Sequence, residues 1–111
     1  MRYAIPLAAG KLALHFGHCQ EFAFVDTNEA GEITGSSRAV PPSHEPGVLP
    51  RWLSENGADF IIASGMGGRA LNLFQQNGIK VVIGSPVDDP DALVRSHIDG
   101  TLETGANICS E

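Results

Sequence analysis

No run of Lys or Arg occurs anywhere in this sequence, and thirteen acidic residues against seven basic ones set a formal charge of −6. A nucleic-acid binder needs a basic face to release counterions from phosphates, so this balance argues against that partner. It argues equally against docking on an anionic membrane surface. Long apolar runs are also missing. The amino-terminal stretch MRYAIPLAAGKLALHFG is interrupted by Pro6, Gly10, Lys11 and His15. It therefore lacks the continuous core of a signal peptide, and nothing approaches the roughly 20 apolar residues of a membrane span. A cytoplasmic location is expected. Cysteine is scarce, with only Cys19 and Cys109. In a reducing compartment both are expected as thiols, open to ligation or redox chemistry. No P-loop, no Ser–His–Asp order and no standard zinc-finger spacing is present.

What is present suits one domain spanning residues 1–111, long enough for a single hydrophobic core without disulfides. Apolar residues alternate from Tyr3 to Leu7 and predict a first strand, with Pro6 expected to end it early or make it irregular. AAGKLALHFGHC reads as a loop. EFAFVD and EITGSSRAV, joined by the turn TNEAG, predict a hairpin. PPSHEPGVLP, with four prolines, is a stiff loop carrying His44. VLPRWLSENG has helical apolar spacing and a glycine stop. ADFIIASG and IKVVIG then read as buried strands, alternating with the helices GGRALNLFQQNG and DDPDALVRSHIDG. Asp caps, Pro90 in the first turn and Gly100 at the end bound the last helix. This part predicts a parallel sheet covered on both faces.

Two constellations carry chemistry. His15, His18 and Cys19 stand at i, i+3 and i+4 within HFGHC. A helical turn would place all three on one face, whereas an extended chain would pair only His15 with Cys19. Imidazole suits iron, copper and zinc, and thiolate favours softer ions and iron–sulfur clusters. Three donors need a fourth, and His44 and Cys109 are the available ones. Both lie at or beyond the ends of predicted elements, where the carboxyl ends of parallel strands form sites. The alternative is a set of scattered surface histidines and buried thiols. The second constellation, IIASGMGGRA, runs from strand through a glycine loop into a helix. There the amides of Gly67, Gly68 and Arg69 either hold an anion together with the helix dipole or form a tight strand-to-helix turn whose small residues serve packing. Gly65, Gly67 and Ala70 match a dinucleotide pattern, but the next strand ends without a ribose-binding acid, the nearest candidates being Asp88 and Asp89. Met66 is a soft contact or a packed side chain. Asp88, Asp89 and Asp91 read as helix-terminal charges, His97 as a partly buried structural residue and Trp52 as core.

HFGHCQEFAFVD, PPSHEPGVLPRWL, GADFIIASGMGGRALNLFQQNGIKVVIG and GTLETGANICSE together resemble the dinitrogenase iron–molybdenum cofactor biosynthesis family. That family includes NifX- and NafY-type cofactor carriers, the carboxyl-terminal domain of NifB and small stand-alone proteins. The likeness covers nearly the whole chain with its blocks in order. It implies a three-layer ribonuclease H-like α/β fold with a mixed five-stranded sheet and helices on both faces. It also implies a non-catalytic role in binding, carrying or scaffolding a metal–sulfur cluster, either iron–sulfur or molybdenum-containing. The family's histidine contact in the HFG-type loop falls on His15, with His18 and Cys19 as additions. Many small relatives place a histidine shortly after the terminal cysteine, whereas this chain ends Cys109-Ser110-Glu111. The expected partners are a protein that donates or accepts the cluster, with an Mrp-type ATPase as a candidate. The chain itself is expected as a monomer or homodimer. Two other classes remain open on the residues alone. One is a zinc-binding regulatory module, the other a small thiol-dependent enzyme using Cys19.

Overall fold

The computed structural model describes residues 1–13, 19–42, 47–85 and 87–102. In chain order the strands and helices are β1 (Arg2–Ala8), β2 (Lys11–Leu12), β3 (Glu21–Thr27), β4 (Ile33–Ala39), α1 (Val48–Glu55), β5 (Phe60–Ile62), α2 (Gly68–Gln76), β6 (Lys80–Val82) and α3 (Pro90–Asp99). The sheet is mixed, in the order β4-β3-β1-β5-β6, with the two-residue β2 added to β1 as a sixth strand. β1 pairs antiparallel with β3 and parallel with β5, and β5 pairs parallel with β6. The expected hairpin is β3–β4, closed by the Asn28 side chain, which accepts the N–H groups of Ala30 and Glu32.

Both faces of the sheet are covered, which is why its inner strands read as almost continuous apolar runs. Phe22, Phe24 and Ile61 pack with Leu49 and Leu53 of α1 and Phe74 of α2. The intervening side chains, Tyr3, Ile5, Leu7, Ala23, Val25 and Ile62, pack with Leu93 and Val94 of α3. The layers are therefore α1 and α2, sheet, and α3. Trp52 lies against this first core, tilted on the rings of Phe22 and Phe24. His97 is structural as expected: the Tyr3 hydroxyl and His97 Nδ1 are 2.9 Å apart, while Phe60 stacks on Tyr3 at 5.0 Å.

Three expectations change. Pro6 lies within β1 and does not cut it short. Pairing with β5 stops at Ala4↔Ile61, so no ladder donor is needed from residue 6 on that side, and the Pro6 carbonyl accepts the Ala13 N–H at 2.9 Å. The stretch after β1 is not all loop, because Lys11 and Leu12 fold back on Ala8 and Leu7. The two-residue connection Ala9-Gly10 has positive φ at both positions, 55° and 82°, as the twist of a tight hairpin demands. Asp89 occupies the cap position of α3 without a side-chain cap bond; its own N–H goes to Asp88 Oδ1 at 2.8 Å.

At the amino-terminal end of β1 a single side chain ties three elements. The Arg2 guanidinium grips Asp26 of β3 through Nε at 2.7 Å and Nη2 at 3.2 Å, and its Nη1 donates to the Asn56 carbonyl just past α1 at 2.7 Å. Both charged groups are more than a third exposed, at 38%. The pair is therefore worth at most about 1 kcal/mol, against roughly 3–5 kcal/mol for truncating a buried Phe.

Two outcomes follow. Ala9 is exposed and left-handed, so Ala9→Gly removes strain and no packing. Urea denaturation should show it more stable by roughly 0.5–1 kcal/mol, and a loss of stability would refute the strained turn. The hydrogen bond from Arg2 holds the Asp26 carboxyl below its ordinary pKa, against a smaller opposing effect of burial. A depressed folded-state pKa contributes stability that is present above the unfolded value, about 3.9, and lost as pH falls through the folded one. Asp26→Asn should thus be less stable than the parent at pH 7, and the gap should close below about pH 3.9. A gap independent of pH would mean that the carboxylate charge is not what matters.

Candidate functional site

β1, β5 and β6 run in the same direction, so their carboxyl ends share one edge of the sheet. β3 starts at that edge, with Glu21 opposite Leu7, and β4 ends there, with Ala39 opposite Phe22. Cys19 stands two residues ahead of β3, anchored by the bond from the Gln20 N–H to the Leu7 carbonyl at 2.7 Å. The glycine loop leaves β5 at the same edge. The chain also enters the proline-rich stretch there. Cys19, the glycine loop and the entry to the proline-rich stretch thus share one edge.

The loop between β5 and α2 is built as a sunken approach to an open helix end. Ala63 and Met66 are fully buried, Gly67 and Gly68 are half-buried, and Arg69 is exposed. Gly67 is the cap residue, in extended conformation, and offers no side-chain cap. The first helical bond runs from the Leu71 N–H to the Gly67 carbonyl, at 3.1 Å. The amides of Gly68, Arg69 and Ala70 have no acceptor among the described residues. No acidic side chain sits in the first turn to neutralise the dipole. An anion could use those N–H groups.

Cys19 is 7% exposed and belongs to the same buried cluster as Ala63 and Met66. Both sulfur atoms of this edge therefore sit in the apolar layer under α1 and α2. Burial in that layer pushes the Cys19 thiol up to about 11, against a smaller opposing backbone hydrogen bond. Such a thiol is protonated at neutral pH, which is the reverse of an activated nucleophile. A metal can still take it, because coordination removes the proton outright.

Ser85 was not singled out from the sequence. It follows β6 at this edge, and its N–H reaches the Ala63 carbonyl at 3.3 Å. Its hydroxyl is buried and has no hydrogen-bond partner among the described residues. Orphaned buried hydroxyls are uncommon and call for a partner. Only the small polar residue after a glycine, past a strand expected to be buried but found partly exposed at the sheet's edge, hinted at it. His15, His18, His44 and Cys109 lie outside the described residues. Among the described residues no three His, Cys, Asp or Glu side chains group to hold a metal ion. No helix among them is long and apolar enough to cross a membrane.

Against known proteins, residues 1–100 match the family model described as dinitrogenase iron-molybdenum cofactor. The uncharacterized protein MJ0580 of Methanocaldococcus jannaschii is 31% identical over 108 residues, which cover 93% of this chain and 90% of that protein. The crystal structure of PH0822 is similar at 31% identity and a TM-score of 0.85, with 94% of each chain covered. The apo form of the orange protein from Desulfovibrio gigas shares the fold, with a TM-score of 0.71 at 24% identity over 96% of this chain and 93% of that one.

The buried, protonated thiol has a direct consequence for labelling. At pH 8 the Cys19 peptide should react with iodoacetamide on the order of 100-fold more slowly in the folded cluster-free protein than in urea, as mass spectrometry would show. Equal rates would mean that Cys19 is an exposed or activated thiol.

Proposed function

The chain belongs to the dinitrogenase iron-molybdenum cofactor family, and on that footing we propose that it binds and passes on a metal–sulfur cluster without turning a substrate over. The observation that carries this reading is the edge itself. A cysteine sulfur, an uncapped helix end and an orphaned buried hydroxyl stand at the carboxyl ends of one sheet. Such a set suits a cargo with metal centres and negatively charged sulfides. Thiolate and imidazole are the soft and borderline donors that such metals prefer. Backbone amides and a hydroxyl supply hydrogen bonds to sulfide, which tune a cluster without ligating it.

In this proposal His15 and Cys19 are the principal ligands, His18 and His44 complete the set, and Cys109 is a further donor. The amides of residues 65–69 and the Ser85 hydroxyl compensate sulfide charge, and Met66 walls the cargo on the apolar side. The cargo is iron–sulfur or molybdenum-containing. A second protein supplies or accepts it, an Mrp-type ATPase being one candidate. The raised Cys19 thiol supports a carrier over a thiol enzyme, because nucleophilic catalysis needs the thiolate in the absence of metal.

The test is anaerobic reconstitution with iron and sulfide, and separately with molybdate, copper and sulfide. A stoichiometric visible chromophore is expected in one of the two, lost in Cys19→Ser and in His15→Ala while both variants keep the parent's circular dichroism. A colourless protein that retains zinc through purification, or a chromophore indifferent to both substitutions, would overturn the reading.

A further inference from the structure

α3 covers the sheet over β1, β3 and β5 and meets β4 only near its start, at Ile33, leaving a trough between the helix and the rest of this edge strand. The trough consists of two neighbouring cavities that share Arg95. One, of about 570 Å³, has Ala23 on its floor, with Ser36 and Arg38 on one side and Asp91 of α3 on the other. The second, of about 360 Å³, continues past Ile33 and Glu32 to Ile98 and Asp99. On α3 the trough is faced by one stripe, Asp91, Arg95, Ile98 and Asp99, at helical spacing. β4 runs antiparallel to that stripe, and its other long edge pairs with no strand among the described residues. From the register, Ser36 stands opposite Val25 and Arg38 opposite Ala23, both on the α3 face.

The charges decide what fits. Arg38 is held by Glu21 at 3.1 Å, so it is already neutralised. That leaves Arg95 against Asp89, Asp91, Glu32 and Asp99, a net negative trough on an already acidic protein. Nucleic acid and other polyanions are repelled. A second copy of the chain would bring two such troughs together, like charge against like. An amphipathic helix needs an apolar groove, and Ser36, Arg38 and the carboxylates do not provide one. An extended main chain suits the place better, because the open N–H and C=O groups of β4 lie along its rim. The geometry points to this trough as a docking site for an extended, basic segment of a partner protein.

Asp91 and Asp99 are eight residues apart on α3, about 12 Å at 1.5 Å per residue. An extended chain covers that span in about four residues. The segment therefore carries Lys or Arg at two positions four residues apart, with an apolar side chain near Ile33 and Ile98 at one end. The proposal does not depend on the cargo reading, since the trough lies on the α3 side of the sheet and is tested without any cluster.

The experiment pans a random dodecapeptide display library on the immobilised, cluster-free full chain. Enriched peptides should share two basic residues four apart. One of them, synthesised and titrated into isotope-labelled protein, should shift the amides of residues 36–38 and 91–99. Asp91→Asn with Asp99→Asn should weaken binding about fivefold, and Arg95→Glu should tighten it about threefold, a gain that misfolding cannot mimic. Failure to enrich any peptide, an acidic or helical consensus, shifts mapping to another surface, or a concentration-dependent dimer that uses these same residues would each overturn the proposal.

Discussion

Strand β1 pairs in both senses at once, antiparallel with β3 and parallel with β5, and the rest of the domain is arranged around that pairing. Because it is central, both faces of β1 must be dry. Tyr3, Ile5 and Leu7 go to the α3 core and Ala4 to the core under α1 and α2. The parallel half brings β5 and β6 to end beside β1, and the antiparallel half starts β3 at that same edge. A sheet of only one sense would not bring the chain before β3 to the ends of β1, β5 and β6. The candidate site is a consequence of this mixed pairing.

The same constraint explains the condition of the sulfur atoms. Cys19 and Met66 lie at the edge of the sheet but still within the layer that α1 and α2 cover. In the proposed function they contact the cargo from the apolar side, while the amides at the start of α2 supply the polar contacts. The energetic division is similar. Core side chains supply the large terms, each worth a few kcal/mol, and the Arg2–Asp26 pair at the opposite end only adjusts the docking of β1, β3 and α1. The Arg2–Asp26 pair and the candidate chemistry therefore occupy opposite ends of one sheet, while the core that supplies most of the stability includes Cys19 and Met66.

Much of the fold was legible because it rests on local signals. The turn TNEAG marks the β3–β4 hairpin, the apolar run at Phe60–Ile62 marks the parallel half, and Gly57, Asn77 and Gly100 end the helices where expected. Pro6 misled, since its cost depends on whether a neighbouring strand needs its donor, and that neighbour is β5, more than fifty residues away. β2 was missed because two residues carry no periodicity. For the site, Cys19 and the glycine loop share one buried layer, whereas the Ser85 hydroxyl, without a partner among the described residues, was not singled out because no local pattern marks it.

By itself, the sequence determined the order of the elements other than β2 and the α/β class, and its motifs carried the family resemblance. Order and class follow from periodicity and spacing within short windows, and the resemblance from motif blocks kept in order along nearly the whole chain. Only the tertiary structure decided that Cys19 is buried with a raised thiol, that the buried Ser85 hydroxyl has no partner among the described residues, and that α3 leaves an acidic trough beside β4. The physical reason is the same in each case. Burial, solvation and the pairing of charges are set by residues far apart in the chain, and no local pattern records which of them will meet.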